Sequence, residues 1–209
     1  DGAEGLLTDM QRFLSGESWY RSRGIPYRRG YLFMGPPGGG KTSAAEALAG
    51  ELGLDLHVLN LGGVTSDMNL EQLIISIEAQ KPTMLLLEDV DAGTPARDAT
   101  KDKRPFSLGT LLNMLDGIMA KENLILVMTT NHPEVLDPAL LRPGRVDVKV
   151  EFGMATDRQI AGAVKLYFPQ EFHAIMDVAA TWPRPMSMAT VQEHLRMMSK
   201  FNGEASHVG

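Results

Sequence analysis

The sequence has no cysteine, no long apolar run and no run of basic residues. The absence of cysteine excludes disulfide bonds and thiolate metal sites and fits a reducing compartment. No stretch approaches the roughly 18 apolar residues of a membrane span, and no secretory signal opens the chain. With a formal net charge of -6 and no Lys/Arg run, the sequence carries no strong nucleic-acid signal. Its five histidines also lack metal-ligand spacing.

Short apolar runs alternate with helical patterns along the first three quarters of the chain. The runs predict strands at residues 31–34, 54–58, 84–87, 124–128 and 146–152. The patterns between them predict helices at residues 41–52, 70–77 and 108–117, the last ended by Gly117, and residues 91–105 read as a polar loop. Strands that alternate with helices favour an α/β fold, a parallel five-stranded sheet with helices on both faces.

The character of the sequence changes after residue 152. Helical patterns without strands follow at residues 158–168, 172–180 and 187–199, separated by prolines, and residues 202–209 read as a frayed tail. We therefore predict an α/β domain over residues 1–152 and a small all-helical lid subdomain over residues 153–209. At 209 residues, the chain has room for one core and such an appendage.

A glycine-rich loop joins the first predicted strand to the first predicted helix. Residues 35–42 read GPPGGGKT and match the phosphate-loop pattern G-x-x-x-x-G-K-[ST] in its required strand-to-helix context. Glycines let backbone N–H groups surround a phosphate, the lysine supplies a positive charge, and the threonine hydroxyl is a Mg²⁺ ligand. We predict that ATP is bound by Gly35, Pro37, Gly38, Gly39, Gly40, Lys41, Thr42 and Ser43.

Two carboxylates end the predicted strand at residues 84–87. Glu88 and Asp89 follow three leucines, at the edge where open α/β sheets bind their ligands. Phosphoryl transfer of this kind needs an acid for the Mg²⁺ shell and a group that takes a proton from water. We predict Thr42, Glu88 and Asp89 at the metal. Position favours Glu88 as the metal residue and Asp89 as the base, with Asp91 as a further candidate, so the division of roles stays open.

Further catalytic candidates follow the next predicted strand. Asn131 comes directly after it and is placed to orient a water molecule between the γ-phosphate and the acids. Arg142 and Arg145 lie in a turn stiffened by proline and glycine, and a guanidinium suits the charge of a phosphoryl transition state. If these arginines act on a neighbour's nucleotide, the working unit is a ring.

Together these motifs resemble the AAA family of ATPases over nearly the whole chain. The resemblance narrows to the subfamily of the mitochondrial Rieske-protein translocase, the AAA chaperone of respiratory complex III assembly. The narrower likeness rests on residues 23–32 (RGIPYRRGYL), the Glu88-Asp89 order, which inverts the common AAA order, and residues 128–133 (MTTNHP). It implies a homo-oligomeric ring of six or seven subunits and a protein client. It also implies an upstream membrane anchor and a location at the mitochondrial inner membrane, with the protein facing the matrix. If the subfamily resemblance does not hold, we expect a cytoplasmic protein.

Two features bear on the mode of action. AAA unfoldases that thread peptides carry an aromatic residue after the second strand, but residues 60–67 (NLGGVTSD) have none, which disfavours a peptide-gripping motor. In the predicted lid, residues 186–189 (MSMA) offer only a serine where many AAA proteins have a sensor residue.

The sequence therefore predicts a Mg²⁺-dependent ATP hydrolase whose ring remodels or translocates a protein client. Two alternatives stay open. One is a nucleotide-gated ring scaffold with little turnover, for which the inverted acid pair is the clue. The other is a free-standing soluble AAA ATPase with an unrelated client.

Overall fold

A parallel five-stranded sheet organises the fold in a computed structural model that describes residues 2–75, 82–93, 106–119 and 124–205. The strands are β1 (Arg28–Met34), β2 (Asp55–Asn60), β3 (Thr83–Glu88), β4 (Leu124–Thr130) and β5 (Val148–Glu151). They lie in the order β2-β3-β4-β1-β5, and every pairing is parallel. The predicted sheet is confirmed.

Helices connect the strands and make up the C-terminal part of the chain. They are α1 (Gly2–Ser15), α2 (Glu17–Ser22), α3 (Lys41–Leu52), α4 (Asp67–Ile75), α5 (Leu108–Met119), α6 (Asp157–Tyr167), α7 (Phe172–Ala179) and α8 (Met188–Ala205). The helical C-terminal part was predicted and is confirmed. Within the described residues, none of these helices has both the length and the apolar character to cross a membrane.

The middle of the sheet is buried on both faces. The four central residues of β3, Met84 to Leu87, are each 0% exposed, and successive residues of a strand point to opposite faces. Leu85 and Leu87 belong to a core cluster with Leu111 and Leu115 of α5, while α3 contacts β2, β3 and β4. Burial on both faces explains why this strand reads as a continuous apolar run.

The strand register brings three carboxyl ends to one edge of the sheet. Met34, the last residue of β1, pairs with Thr130, the last residue of β4, and Leu87 of β3 pairs with Met128. The segments that follow β1, β3 and β4 therefore leave the sheet at the same level. Polar residues that are distant in sequence meet there.

Two predicted helix ends are wrong. The last helix, expected to stop at residue 199 before a frayed tail, continues as α8 to Ala205. The helix expected to stop at Gly117 continues to Met119, because Ile118 is only 2% exposed and packs in the same core cluster. A glycine inside a helix costs about 1 kcal/mol relative to alanine, which the burial of an isoleucine side chain offsets. Residues 94–105 of the predicted polar loop, the helix end at residues 76–77 and residues 206–209 of the predicted tail lie outside the described residues.

Two helices precede the sheet, where the sequence analysis made no prediction. α1 buries Leu6, Met10 and Phe13, which recur at helical spacing. From the same helix, Asp9 accepts hydrogen bonds from both nitrogens of the Arg29 fork, at 2.8 and 2.7 Å, and from the Tyr31 hydroxyl at 2.8 Å. These contacts attach α1 to β1.

The described residues divide into two compact units. One contains the residues up to 35 together with 41–151, and the other contains residues 36–40 together with 152–205. In the second unit, Thr156 and Gln159 form a capping box at the start of α6, and α6, α7 and α8 enclose their own core. Met186 is buried in that core.

Candidate nucleotide-binding and catalytic site

The predicted phosphate loop, residues 35–42, connects β1 to α3. The backbone φ angles of Gly35, Gly38 and Gly40 are 142°, 74° and 93°, in a region that glycine adopts readily and other residues rarely do. The Gly35 N–H donates to the carbonyl oxygen of Thr130 at 3.3 Å, which ties the start of the loop to the end of β4. The glycines are therefore required by the shape of the loop.

Lys41 is the first residue of α3, and its side chain joins two segments of the site. Its Nζ donates to the carbonyl oxygen of Gly35 at 2.8 Å and to Asn131 Oδ1 at 2.7 Å. Burial lowers the pKa of Lys41, whereas the Asp89 and Asp91 carboxylates act in the opposite direction. Partial burial of the ammonium group strengthens its attraction for a phosphate, and the nearby acids offset part of that attraction.

Thr42 and Glu88 form the candidate metal site. The Thr42 hydroxyl donates to Glu88 Oε1 at 2.5 Å. Mg²⁺ prefers oxygen ligands and in phosphate sites is held by one or two carboxylates, the substrate phosphates and water. A hydroxyl and a carboxylate in contact fit that ion. No group of three or more His, Cys, Asp or Glu side chains with metal-binding geometry occurs in the described part of the chain, and such a Mg²⁺ site needs none.

Asp89 has the most unusual backbone of the site. Its φ of 56° lies in the left-handed region, and it is the one non-glycine residue with positive φ among the described residues. Asn131 Nδ2 donates to Asp89 Oδ1 at 3.4 Å. Burial, followed by the charges of Asp91 and Glu88, raises the pKa of Asp89, and Lys41 opposes the rise. Strain and unfavourable charge at one carboxylate are typical of functional positions.

A second polar pair beside the acids was not predicted. The Thr130 hydroxyl donates to Asp91 Oδ1 at 2.6 Å and accepts from the His132 N–H at 3.0 Å. It therefore fixes the turn that carries Asn131. The sequence signal was present, because two threonines directly precede Asn131 at the end of a buried strand.

The two predicted arginines do not join this cluster within the chain. Their turn is bonded to Gly30, near the amino end of β1, since the Asp147 N–H donates to the Gly30 carbonyl oxygen at 2.8 Å. Arg145 donates to both carboxylate oxygens of Asp116, whereas Arg142 is exposed. The sequence predicted both arginines and did not single out Asp116.

Three further predicted nucleotide-binding residues, two in the loop and Ser43 in α3, differ in what surrounds them. Pro37 and Ser43 are exposed. Gly38 lies in the second unit, where its carbonyl oxygen accepts a hydrogen bond from the Ala189 N–H at 3.1 Å, and a methyl group at Gly38 would approach Ser187 Oγ to 2.9 Å. A backbone N–H leaves no signature in the sequence, so this contact was not predicted from it.

Comparison with known proteins gives one family and several relatives. The model of the family "ATPase family associated with various cellular activities (AAA)" matches residues 31–154. A probable mitochondrial chaperone bcs1 of Schizosaccharomyces pombe is 44% identical over 195 residues, covering 90% of this chain and 42% of that protein. The mitochondrial chaperone BCS1 of Danio rerio is 40% identical over 208 residues, covering 93% and 49%.

The mitochondrial chaperone BCS1 of Homo sapiens is similar to this chain to about the same degree. It is 42% identical over 175 residues, covering 80% of this chain and 41% of the relative. The chain thus spans less than half the length of the three relatives described.

Proposed function

The chain belongs to the AAA family of ATPases, and on that basis we propose that it hydrolyses ATP to ADP and phosphate in a homo-oligomeric ring of six or seven subunits. The ring remodels or translocates a protein client as a chaperone, at the matrix face of the mitochondrial inner membrane. The location and the chaperone role are supported by the names of the relatives, which are mitochondrial chaperones. We further propose that residues 1–152 bind the nucleotide and that residues 153–209 act as its lid.

The observation that carries the proposal is the cluster at the carboxyl ends of β1, β3 and β4. Lys41 contacts Asn131, Asn131 contacts Asp89, and Thr42 contacts Glu88. The phosphate loop supplies backbone N–H groups and Lys41 for the β- and γ-phosphates, and Thr42 with Glu88 holds the metal. When bound, Mg²⁺ neutralises charge on the phosphate oxygens.

Asp89 acts as the general base in this proposal. Its raised pKa brings the carboxylate closer to the operating pH, where a base combines ionisation with proton affinity. Asn131, held by Lys41 and next to Asp89, orients the attacking water. A proton of that water passes to Asp89 while the water oxygen attacks the γ-phosphorus. ADP departs with the electrons of the broken P–O bond.

The arginine turn completes the site of a neighbouring subunit. Arg142 and Arg145 make no contact with Glu88 or Asp89 of their own chain within the described residues, which supports action in trans on a neighbour's γ-phosphate. Residues 61–63 form a short helical turn after β2, and the segment 60–67 has no aromatic residue to grip an extended peptide. That composition favours a client that is moved in folded form.

Turnover of the full chain at ring-forming concentration tests the proposal. Phosphate release per subunit rises with protein concentration, and Asp89→Asn lowers it on the order of 10² to 10⁴-fold while ATP still binds. Glu88→Gln raises the Mg²⁺ concentration needed for half-maximal turnover, and Asp89→Asn does not. Asp55→Asn, an exposed acid on β2, is the matched control and leaves both quantities unchanged.

The alternatives give different results in the same assay. A nucleotide-gated scaffold binds ATP and assembles, yet its phosphate release equals that of the Asp89→Asn variant at every concentration. A free-standing ATPase with an unrelated client turns over ATP, but its gene encodes no membrane span upstream of this chain. Equal effects of Glu88→Gln and Asp89→Asn on the Mg²⁺ requirement contradict the division of roles between the two acids.

A further inference from the structure

The two arginines of the 142–145 turn have different surroundings. Arg145 Nε and Nη2 donate to the two carboxylate oxygens of Asp116 at 2.8 and 2.7 Å, and Nη1 donates to the carbonyl oxygen of Ala139 at 2.5 Å. The Arg145 side chain is 12% exposed. All three nitrogens of its guanidinium are therefore engaged by acceptors of the same chain, in the two-pronged geometry that fixes an arginine most firmly.

The backbone of the turn is attached to β1 as well. The Asp147 carboxylate accepts from the Gly30 N–H at 2.9 Å and from the Gly144 N–H at 3.2 Å. A methyl group at Gly30 would overlap the carbonyl oxygen of Arg145, so strand and turn are in close contact. Asp116 from α5 and Asp147 thus hold the turn from two sides.

Arg142 contrasts with this arrangement. It is exposed, and among the described residues its guanidinium makes no hydrogen bond or close ion pair, although its charge contributes, after those of Arg145 and Arg28, to lowering the pKa of Asp116. Its carbonyl oxygen is nevertheless fixed, because it accepts from the N–H groups of Arg145 at 3.0 Å and Val146 at 3.2 Å. The residue combines a fixed backbone with a side chain available to a partner.

We propose that Arg145 is a positioning residue: bound to Asp116, it fixes the turn from which Arg142 alone reaches the nucleotide of a neighbouring subunit. This inference rests on the proposed ring ATPase and divides the roles of two arginines that the sequence treats as equivalent. Binding of Arg145 to a phosphate would break three hydrogen bonds and would leave the Asp116 carboxylate without the guanidinium that it binds. Recruiting Arg142 breaks none within the described residues.

Mixed rings of the full chain test the division. Subunits with Asp89→Asn have no turnover but keep both arginines, so they serve as donors; subunits with Arg142→Gln keep their acids and serve as recipients. We expect the mixture to regain phosphate release that each variant lacks alone, since loss of a transition-state arginine costs on the order of 10³ to 10⁵ in rate. If Arg142→Gln retains full turnover by itself, trans catalysis by this residue is wrong and the inference fails, whereas the ATP hydrolysis of the proposed function stands.

Changes at Asp116 and Arg145 are then made in the donor only. Asp116→Asn and Arg145→Gln should each lower complementation on the order of 10²-fold, the effect of misplacing a reacting group by about 1 Å. As recipients, subunits with either change should keep their ATP affinity and accept Arg142 normally. A general loss of folding would impair both roles, so the asymmetry separates positioning from stability. Glu17→Gln, which removes the acid partner of Arg21 in α2, is the control donor and should complement fully.

Two results overturn the inference without affecting the proposed function. If Arg145 itself contacts the phosphate, Asp116→Asn frees it, and the donor complements as well as or better than its parent. The exchanged pair Asp116→Arg with Arg145→Asp decides the same point by rescue. Positioning predicts that the exchanged pair restores most of the complementation lost in Arg145→Gln, whereas a phosphate contact predicts none because an acid then stands at position 145.

Discussion

The acid cluster and the arginine turn, both of which the proposed ATPase reaction would use, are held in place by different means. The acid cluster consists of Glu88, Asp89 and Asn131, which end or directly follow the buried strands β3 and β4, together with Lys41 at the start of α3, whose side chain bonds Asn131. The arginine turn is a surface loop held by two carboxylates, Asp116 and Asp147. The first region is rigid because of its backbone, and the second because of charged and backbone hydrogen bonds.

The two regions shift the pKa of their carboxyl groups in opposite directions. Burial and neighbouring acids raise the pKa of Asp89, so its ionised form is disfavoured in the folded protein. The hydrogen bond from Arg145 is the largest cause that lowers the pKa of Asp116, so there the ionised form is favoured. The ionised form that Asp89 needs as a base therefore destabilises the fold, whereas the ion pair that holds the arginine turn stabilises it. Because Asp116 is 62% exposed, salt screens this pair.

The largest expected effect sharpens the acid side of this comparison. Lys41→Ala removes a partly desolvated ammonium group from the phosphate loop, and we expect ATP affinity to fall about 10- to 100-fold, as for a charged hydrogen bond. Equilibrium binding of a fluorescent ATP analogue measures the change. Lys149→Ala, on the exposed side of β5, is the control and should bind normally. Unchanged ATP affinity in Lys41→Ala would contradict the assignment of residues 35–42 as a phosphate loop.

A second substitution tests how firmly the arginine turn rests on β1. Gly30→Ala introduces a methyl group where the carbonyl oxygen of Arg145 lies, and we expect the free energy of unfolding to fall by about 2–3 kcal/mol. Urea denaturation measures it. The control is Gly50→Ala in α3, where no atom lies within 4 Å of the new methyl group. That change should stabilise slightly, because alanine is the better helix former. Equal stability of the two variants would mean that the arginine turn moves to make room for the new methyl group and is not firmly held against β1.

The smallest expected effect tests whether the acid cluster opposes stability. Asp89→Asn removes a carboxylate with a raised pKa and places asparagine, which tolerates left-handed backbone, at a φ of 56°. We expect Tm near neutral pH to rise by about 1–2 °C although turnover is lost.

The pH dependence of this gain has a definite sign. A raised folded-state pKa means that the folded protein binds the proton more tightly than the unfolded chain, so ionised Asp89 destabilises above the unfolded value of about 3.9. The advantage of Asp89→Asn should therefore grow from about pH 4 upward, until the folded-state pKa is passed. A lower Tm for Asp89→Asn at neutral pH would contradict the interpretation.

Much of the acid cluster was predictable from the sequence, because its parts follow recognisable strands. Glu88 and Asp89 end an apolar run, and Asn131 follows another, so parallel strands must bring them to one edge. Thr130 was missed although two threonines precede Asn131, because the spacing does not show that its hydroxyl bonds Asp91. The helix end at Gly117 was placed too early because the local signal ignored the burial of Ile118.

The arginine turn was predictable only as a motif. The sequence places Arg142 and Arg145 three residues apart in a turn, and nothing in that pattern separates their roles. The separation comes from Asp116, 29 residues away in α5, and from Gly30 and Asp147 in a strand and a loop more than 100 residues apart. The attachment of α1 through Asp9 to Arg29 is a similar long-range contact.

By itself, the sequence determined the α/β pattern, the phosphate loop and the acids, because hydrophobic periodicity and glycine placement act locally and leave their mark in consecutive residues. Only the tertiary structure decided that Asp89 carries strain and a raised pKa and that Arg145 is bound while Arg142 is exposed. Those properties depend on burial and on partners supplied by other elements. The physical reason is that charge interactions and desolvation are set by distance in space, to which the order of residues along the chain is only an indirect guide.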